Sequence, residues 1–239
     1  ALHPAPRRIL LMGAGDGLAL REILSWPDVE SVDVVELDPE VIKLARRQPL
    51  LRRLNADSLR DSRVQLHLGD AYAHLRTHHT RYDVVIADFP DPDTLSVARL
   101  YSVGFYRMLR QRLNPEAVVI TQASTPFLTP RVLASIEAGL RGVGFHTRPY
   151  SVAIPSFGPW GFVIARENSW INLFRPIPFP TRWLDADQLS ALFIFPRDLR
   201  PDASELIQAN RMTRPILLDY LRDDLRRSLQ QPRPVIPPF

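Results

Sequence analysis

Glycines and acidic residues follow short apolar runs at three points in the first third of the chain. The first run ends in the Gly-Ala-Gly-Asp-Gly turn of residues 13–17, the second at Glu36, and the third in Gly69-Asp70-Ala71. Glycines let the backbone of a tight turn approach a ligand closely. A carboxylate about 20 residues further on can accept both hydroxyls of a ribose. The spacing predicts a nucleoside site, whereas Leu18 at the third glycine position of a dinucleotide fingerprint disfavours a pyrophosphate.

A second group of acids follows a later apolar run. Asp88 and Asp91 are three residues apart, stiffened by Pro90 and Pro92, and we expect them to face the same crevice as Asp16. Such a cluster of carboxylates repels itself unless a cation neutralises it. No metal-ligand spacing accompanies these acids and the six histidines are scattered, which favours an organic polycation over Mg²⁺ with a phosphate. The alternative is that both acids are structural, with Asp91 at the start of a turn and Asp88 as the cap of a nearby element.

The elements that position these residues are short apolar runs, each too continuous for an amphipathic helix, which predict buried strands. These runs are Arg8–Met12, Ser31–Leu37, Arg63–Leu68, Tyr82–Asp88 and Ala117–Gln122. Helical periodicity between them predicts βαβ units, whose parallel strands bind ligands at their carboxyl ends. Phe145–Ile154 and Gly161–Arg166 are too close for a helical crossover and predict an antiparallel hairpin. The predicted fold is α/β, a Rossmann-like methyltransferase-type sheet that is mostly parallel, with an antiparallel edge hairpin and a C-terminal helical extension.

The composition changes near residue 167. Residues 1–166 are predicted to form the Rossmann-like domain, and residues 167–239 a proline-rich connector followed by short helices, including Ser204–Ala209 and Ile216–Arg227. The chain has 239 residues, 45% hydrophobic and 23% charged, as is typical of globular proteins. The absence of cysteine excludes disulfides and cysteine ligands. No run approaches the ~18 apolar residues of a membrane span, and no basic run interleaved with aromatics predicts a nucleic-acid partner.

The order of the motifs resembles that of the spermidine synthase (polyamine aminopropyltransferase) family over about residues 1–166. The matching segments are the glycine turn, Val35–Asp38, Gly69–Ala71, Asp88–Pro92, Leu100–Ser102, Gln122 and Pro155–Phe162. The resemblance implies a transferase that moves the aminopropyl group of decarboxylated S-adenosylmethionine to a diamine such as putrescine. The products would be spermidine and 5′-methylthioadenosine. It also implies no metal, and no cofactor besides that co-substrate.

The resemblance also implies roles for individual residues. The nucleoside would be held by Gly13, Gly15, Asp16, Gly17, Glu36, Leu37, Asp70 and Ala71. Asp88 would accept the proton of the attacking amine, and Asp91 would assist by holding the diamine. The amine site would comprise Asp16, Asp88, Asp91, Tyr101, Gln122 and Trp160.

The Asp88–Pro92 segment and the tail beyond Ile171 resemble most the bacterial branch in which this domain follows a membrane-embedded N-terminal region. That branch implies a cytoplasmic domain at the inner face of the cell membrane. The family's N-terminal β-rich segment is absent from this chain, so we expect the chain alone to bind nucleoside better than it catalyses. The sequence does not decide whether the chain forms a homo-oligomer or which amine is the acceptor.

Two alternatives compete with the aminopropyltransferase. An S-adenosylmethionine-dependent methyltransferase shares the fold, but Asp16 and Asp88 would repel the carboxylate of that donor, and the acid that usually precedes the methyltransferase turn is Leu11 here. A non-catalytic polyamine- or nucleoside-binding domain would retain the crevice without turnover. A nicotinamide-dependent dehydrogenase is disfavoured because the sole lysine, Lys43, follows Glu36 on a helix.

Overall fold

A mixed sheet of seven strands forms the centre of the part of the chain that the structure describes, in the order β3-β2-β1-β4-β5-β7-β6. The structure, a computed structural model, describes residues 2–154, 158–169, 177–181, 184–195 and 205–230, without the side chain of residue 186. The strands are β1 (Arg8–Gly13), β2 (Ser31–Glu36), β3 (Val64–Leu68), β4 (Tyr82–Asp88), β5 (Leu113–Gln122), β6 (His146–Ile154) and β7 (Gly158–Arg166). The first five are mutually parallel, whereas β7 is antiparallel to both β5 and β6. The predicted fold class and edge hairpin are confirmed.

Helices connect the strands and cover the sheet. In the first half of the chain they are α1 (Leu18–Leu24), α2 (Pro39–Arg47), α3 (Pro49–Asn55), α4 (Ala71–Thr77) and α5 (Leu95–Ala98). The remainder are α6 (Val103–Arg110), α7 (Pro130–Arg141), α8 (Ala186–Ala191) and α9 (Ile216–Gln230). No helix within the described ranges combines the length and the apolar character needed to cross a membrane.

Side-chain caps fix where several helices begin, immediately beyond the strands. Asp38 accepts a hydrogen bond from the backbone N–H of Glu40, with Pro39 at the first helical position of α2. Asp70 accepts from the N–H of Ala73 at 2.9 Å and thereby begins α4. These acids therefore stand at the boundary between strand and helix, at the edge of the sheet where a ligand can reach them.

The strand register brings the carboxyl ends of the parallel strands to one edge. Gly13 in β1 pairs with Asp88 in β4, and Glu36 in β2 pairs with Leu68 at the end of β3. Ala87 pairs with Thr121, the residue before Gln122 in β5. Acids that are far apart in sequence thus share one edge.

The sheet separates two apolar cores, because side chains alternate between the faces of each strand. In β1, Leu10 and Met12 belong to one core and Ile9 and Leu11 to the other. The helix α9 packs into the first core through Leu217, which is completely buried. Helix α9, from the predicted C-terminal extension, therefore contributes to the core of the sheet, and the division into two domains at residue 166 stays a prediction.

The prediction of a helix over Ser204–Ala209 is wrong for its described part, residues 205–209, which contain no helix. The backbone there bonds to other elements instead. The carbonyl of Gln208 accepts from the hydroxyl of Ser135, and its N–H donates to the hydroxyl of Tyr220. Groups engaged in this way cannot form the i to i−4 bonds of a helix.

Candidate active site

The glycine turn closes around the carboxylate of Glu36. The N–H of Gly15 donates to Oε2 of Glu36 at 3.0 Å, and the N–H of Asp38 donates to Oε1 at 2.9 Å. A Cβ atom on Gly15 would lie 2.6 Å from that Oε2, and one on Gly13, where φ is +82°, would lie 2.2 Å from the carbonyl oxygen of Asp88. Glycine is therefore required at position 13, whereas a side chain at position 15 would have to displace the carboxylate of Glu36 from the orientation that the two N–H groups give it.

A cavity of about 660 Å³ opens beside this turn. Its lining includes the predicted nucleoside residues Gly13, Glu36, Leu37, Asp70 and Ala71. The structure places Gly15, Asp16 and Gly17 outside this lining, where they support the turn. Asp16 accepts a hydrogen bond from the N–H of Leu18 at 3.0 Å and so stabilises the start of α1. Their predicted contacts with a ligand stay predictions.

Arg99 is a residue of this cavity that sequence reasoning missed. Its Nη2 lies 2.7 Å from Oδ2 of Asp70, and its guanidinium lies over the ring of Tyr72, 5.3 Å from the centroid. Asp70 therefore uses one oxygen to cap α4 and the other to bind Arg99. No motif marks an arginine 29 positions after its partner, so the pair became visible only in the fold.

A second cavity of about 670 Å³ adjoins the first. The structure brings four predicted residues into its wall, namely Asp88, Asp91, Gln122 and Trp160. It adds aromatic residues that were not predicted, of which Tyr150 and Phe162 stack with their ring centroids 5.1 Å apart. These two aromatics come from neighbouring strands of the edge hairpin, and the signal that could have found them is the cross-strand pairing of its alternating residues. Residues 155–157 of the predicted loop lie outside the described part.

Asp88, Phe89 and Pro90 line both cavities and therefore form their junction. Burial, followed by the negative charge of Asp16, raises the pKa of the Asp88 carboxyl above its ordinary value. Burial and the charge of Asp88 likewise raise the pKa of the Tyr150 hydroxyl. The junction thus contains a carboxylate with an increased affinity for a proton.

Asp91 is anchored through a chain of buried polar groups. Its Oδ1 accepts from Nε2 of Gln122 at 2.9 Å, and Oε1 of Gln122 accepts from the hydroxyl of Tyr101 at 2.8 Å. Tyr101, which is predicted to line the amine site, is completely buried and lies outside the lining of the cavity, so its contact with an amine stays a prediction. Its ring packs edge-on against Phe89 in the core. Besides Gln122, its hydroxyl contacts the carbonyl oxygens of Phe89 and Pro90, which line the cavity.

The chain is similar in sequence to polyamine aminopropyltransferases. The profile described as "Spermine/spermidine synthase domain" matches residues 1–174. "Polyamine aminopropyltransferase 1" of Streptomyces coelicolor is 42% identical over 232 residues, covering 94% of this chain and 43% of that protein. "Polyamine aminopropyltransferase 2" of Ralstonia nicotianae is 40% identical over 222 residues, with 91% and 42% covered. The chain therefore spans less than half the length of these curated relatives.

A solved structure shows the same fold. The crystal structure of spermidine synthase from Thermotoga maritima superposes with a TM-score of 0.62 at 22% sequence identity, covering 94% of this chain and 70% of that chain. The family profile spans well over half of the chain and includes every strand of the sheet. This chain belongs to the spermine/spermidine synthase domain family.

Proposed function

We propose that this chain is the catalytic domain of a polyamine aminopropyltransferase. It binds decarboxylated S-adenosylmethionine in the cavity of Glu36 and Asp70, and a diamine such as putrescine in the cavity of Asp91 and Trp160. The observation that supports this assignment best is the position of Asp88, which lines both cavities. A transfer between two bound substrates requires its proton acceptor at such a junction.

Asp88 removes the main energetic obstacle to the transfer. An alkylammonium with a pKa near 10.4 must lose a proton before its nitrogen can attack, which costs about 4–5 kcal/mol at pH 7. The carboxylate of Asp88 accepts that proton while the nitrogen approaches the carbon next to the sulfonium. The new C–N bond forms as the C–S bond breaks. The electron pair of the C–S bond returns to sulfur, which leaves as part of 5′-methylthioadenosine. The sulfonium is its own activated leaving group, so the proposed step needs no metal.

The acids also determine which donor is accepted. The aminopropyl ammonium of the decarboxylated donor is attracted by the carboxylates of Asp16 and Asp88. The additional carboxylate of S-adenosylmethionine is repelled by them. This electrostatic difference favours an aminopropyltransferase over a methyltransferase.

Calorimetric titration tests the proposal. We expect decarboxylated S-adenosylmethionine to bind at least tenfold more tightly than S-adenosylmethionine. In Asp88→Asn the difference in affinity between the two donors becomes smaller, because one of the two carboxylates that repel S-adenosylmethionine is removed. Asp93→Asn serves as the matched control, since Asp93 is exposed in the same loop and lies outside the lining of both cavities. Equal affinity for the two donors would overturn the proposal in favour of a methyltransferase.

A measurement of turnover distinguishes an aminopropyltransferase from a non-catalytic polyamine-binding domain. Formation of 5′-methylthioadenosine from the decarboxylated donor and putrescine is measured in the natural full-length protein. We expect turnover in the wild type and in Asp93→Asn, and a loss of about 10²–10⁴-fold in Asp88→Asn, the usual contribution of a general base. Tight binding of both substrates without turnover would identify a non-catalytic polyamine-binding domain.

The proposal includes the location of the domain. The resemblance to the membrane-anchored bacterial branch supports a location at the inner face of the cell membrane. Fractionation of cells that express the natural full-length protein tests this, with the domain expected in the membrane fraction and accessible to protease only from the cytoplasmic side. Recovery in the soluble fraction alone would contradict it.

A further inference from the structure

Three histidines come together beside the edge strand β3, away from both cavities. They are His67 in β3, His74 in α4 and His78 immediately after α4, and one ligand nitrogen of each lies within 4.8 Å of those of the other two. The statement that the histidines are scattered is wrong for these three. The strand leads directly into the helix, and His74 and His78 are four residues apart, which is about one helical turn.

His74 contains a buried polar atom that has no partner. The residue is only 6% exposed, and its Nε2 has no hydrogen-bond partner within the described part of the chain. Its ring stacks on His78 with centroids 4.0 Å apart and packs edge-on against His67 at 4.7 Å. Burial, followed by the two neighbouring histidines, lowers the pKa of His74 to about 4. The unpartnered Nε2 is the atom of this buried ring that can donate a lone pair to a metal.

The other two histidines are held by hydrogen bonds of the kind that orient metal ligands. Nε2 of His67 lies 2.7 Å from Oδ1 of Asp33, whose Oδ2 accepts from the hydroxyl of Tyr82 at 2.8 Å. Nδ1 of His78 lies 3.2 Å from the carbonyl oxygen of His74. These bonds leave Nδ1 of His67 and Nε2 of His78 available as ligand atoms. Metal-binding histidines commonly donate their second N–H to a carboxylate or to a backbone carbonyl in this way.

We propose that His67, His74 and His78 bind one divalent transition metal ion that prefers imidazole, of which Zn²⁺ is the representative, with a water molecule as the fourth ligand. The set contains three nitrogen ligands, which suit Zn²⁺, Cu²⁺ or Ni²⁺ better than the oxygen-preferring Mg²⁺ and Ca²⁺. His78 is exposed, so an ion can enter from solvent.

Binding requires a side-chain rearrangement, because the rings of His74 and His78 are stacked and their in-plane lone pairs must converge on one ion. Zn²⁺ binds imidazole nitrogen at about 2.0–2.1 Å, which in a tetrahedral site places the nitrogens about 3.4 Å apart. His78 is exposed, so its ring can rotate on the side that faces solvent. The bound ion would link the end of α4 to the edge strand, at the opposite end of that helix from Asp70.

The test uses the chain without a histidine tag, titrated with Co²⁺ and then with Zn²⁺. We expect one equivalent of Co²⁺ to give the intense visible absorption of a four-coordinate site, and Zn²⁺ to displace it. His78→Gln weakens the affinity for Zn²⁺ at least tenfold. The matched control is His79→Gln, because His79 is the adjacent exposed histidine and lies outside the cluster; it leaves the affinity unchanged.

A stability measurement keeps the test independent of catalysis. Zn²⁺ that binds the folded state alone raises the melting temperature by mass action. We expect this increase in the wild type and in His79→Gln, and not in His78→Gln. The proposal is overturned if Co²⁺ gives no such band, if both variants lose affinity equally, or if His78→Gln binds Zn²⁺ as tightly as the wild type. None of these readouts depends on the proposed transferase activity.

Discussion

The side-chain amide of Gln122 donates a hydrogen bond of 2.9 Å to Oδ1 of Asp91. Gln122 is the last residue of β5 and is 3% exposed, whereas Asp91 lies in the loop after the neighbouring strand β4. A carboxylate only accepts hydrogen bonds, so this contact fixes which end of the amide faces the cavity. The amide oxygen then faces the hydroxyl of Tyr101 at 2.8 Å. Asp91 is thereby oriented by groups that the sheet and the core hold in place.

We expect Gln122→Leu to impair use of the diamine selectively. The substitution removes the hydrogen bond that orients Asp91, and hydrogen bonds to charged groups contribute about 1.5–3 kcal/mol. This corresponds to an increase of about 10–100-fold in the KM for the diamine. Steady-state kinetics measure this change in KM. Calorimetry should show an unchanged affinity for 5′-methylthioadenosine, because Gln122 is not in the lining of the cavity of Glu36 and Asp70.

Tyr101→Phe should have a smaller effect of the same kind, below about tenfold, because it removes one contact to Gln122 and leaves the bond to Asp91 in place. The matched control is Tyr106→Phe, in which another buried tyrosine outside the lining of both cavities loses its hydroxyl. An equal loss in both tyrosine variants would mean that core packing, and not the orientation of Gln122, is responsible.

The raised pKa of Asp88 predicts opposite effects of Asp88→Asn on activity and on stability. In the wild type, kcat/KM should fall with decreasing pH through a pKa above the ordinary carboxyl value of about 4, because protonated Asp88 cannot act as the base. A carboxyl group whose pKa is higher in the folded protein than in the unfolded chain stabilises the fold at pH values below its pKa in the unfolded chain. That contribution is lost as the pH rises through its pKa in the folded protein. Asp88→Asn should therefore melt at a higher temperature than the wild type at pH 7.5.

Melting curves at several pH values measure this difference. The stabilisation in Asp88→Asn should shrink as the pH falls towards 4, where the wild-type carboxyl also becomes neutral. A variant that is less stable than the wild type at pH 7.5 would contradict the desolvation of Asp88.

Gly15→Ala should weaken nucleoside binding without unfolding the protein. The added Cβ would lie 2.6 Å from Oε2 of Glu36 and must displace that carboxylate from the turn. We expect an affinity for 5′-methylthioadenosine at least tenfold lower, which calorimetry measures. The control is Gly104→Ala in α6, where the nearest atom to the new Cβ is Sδ of Met212 at an ordinary 3.5 Å. Equal affinities for the two alanine variants would contradict the role of the turn.

Asp224→Ala should destabilise the fold strongly. Asp224 and Arg131 are 4% and 5% exposed, and their Oδ1 and Nε atoms lie 2.5 Å apart. Asp224 also accepts from the backbone N–H of Arg131 at 3.0 Å, in the first turn of α7. Removal of Asp224 leaves the buried guanidinium with two weaker and more exposed partners, Glu205 at 3.3 Å and Asp223 at 3.9 Å. Breaking a buried ion pair costs about 3–5 kcal/mol when no other charge compensates it, so we expect a loss at the lower end of that range.

Urea denaturation measures this change in the free energy of unfolding. Asp219→Ala is the control on the same helix, because its contact with Arg222 is exposed and such pairs contribute about 0–1 kcal/mol. Similar losses in the two variants would show that α9 does not depend on the buried pair.

The positions of the acids at the strand ends could be predicted from the sequence. The alternation of strands and helices predicts parallel βαβ units, and in such units every carboxyl end meets the same edge of the sheet. Gly13, Glu36 and Asp88 therefore had to lie together, and the register confirms it. The cap of α2 at Asp38 is of the same local kind, because it depends on neighbours in sequence alone.

The sequence by itself determined the sheet, its edge hairpin and the edge at which the candidate site lies. Only the tertiary structure decided that Arg99 pairs with Asp70, that Tyr101 lies behind Gln122, and that His67 meets His78. The physical reason is the range of the interactions. Hydrophobic periodicity and caps act between near neighbours, whereas side-chain partners far apart in sequence depend on how helices and loops pack over the sheet.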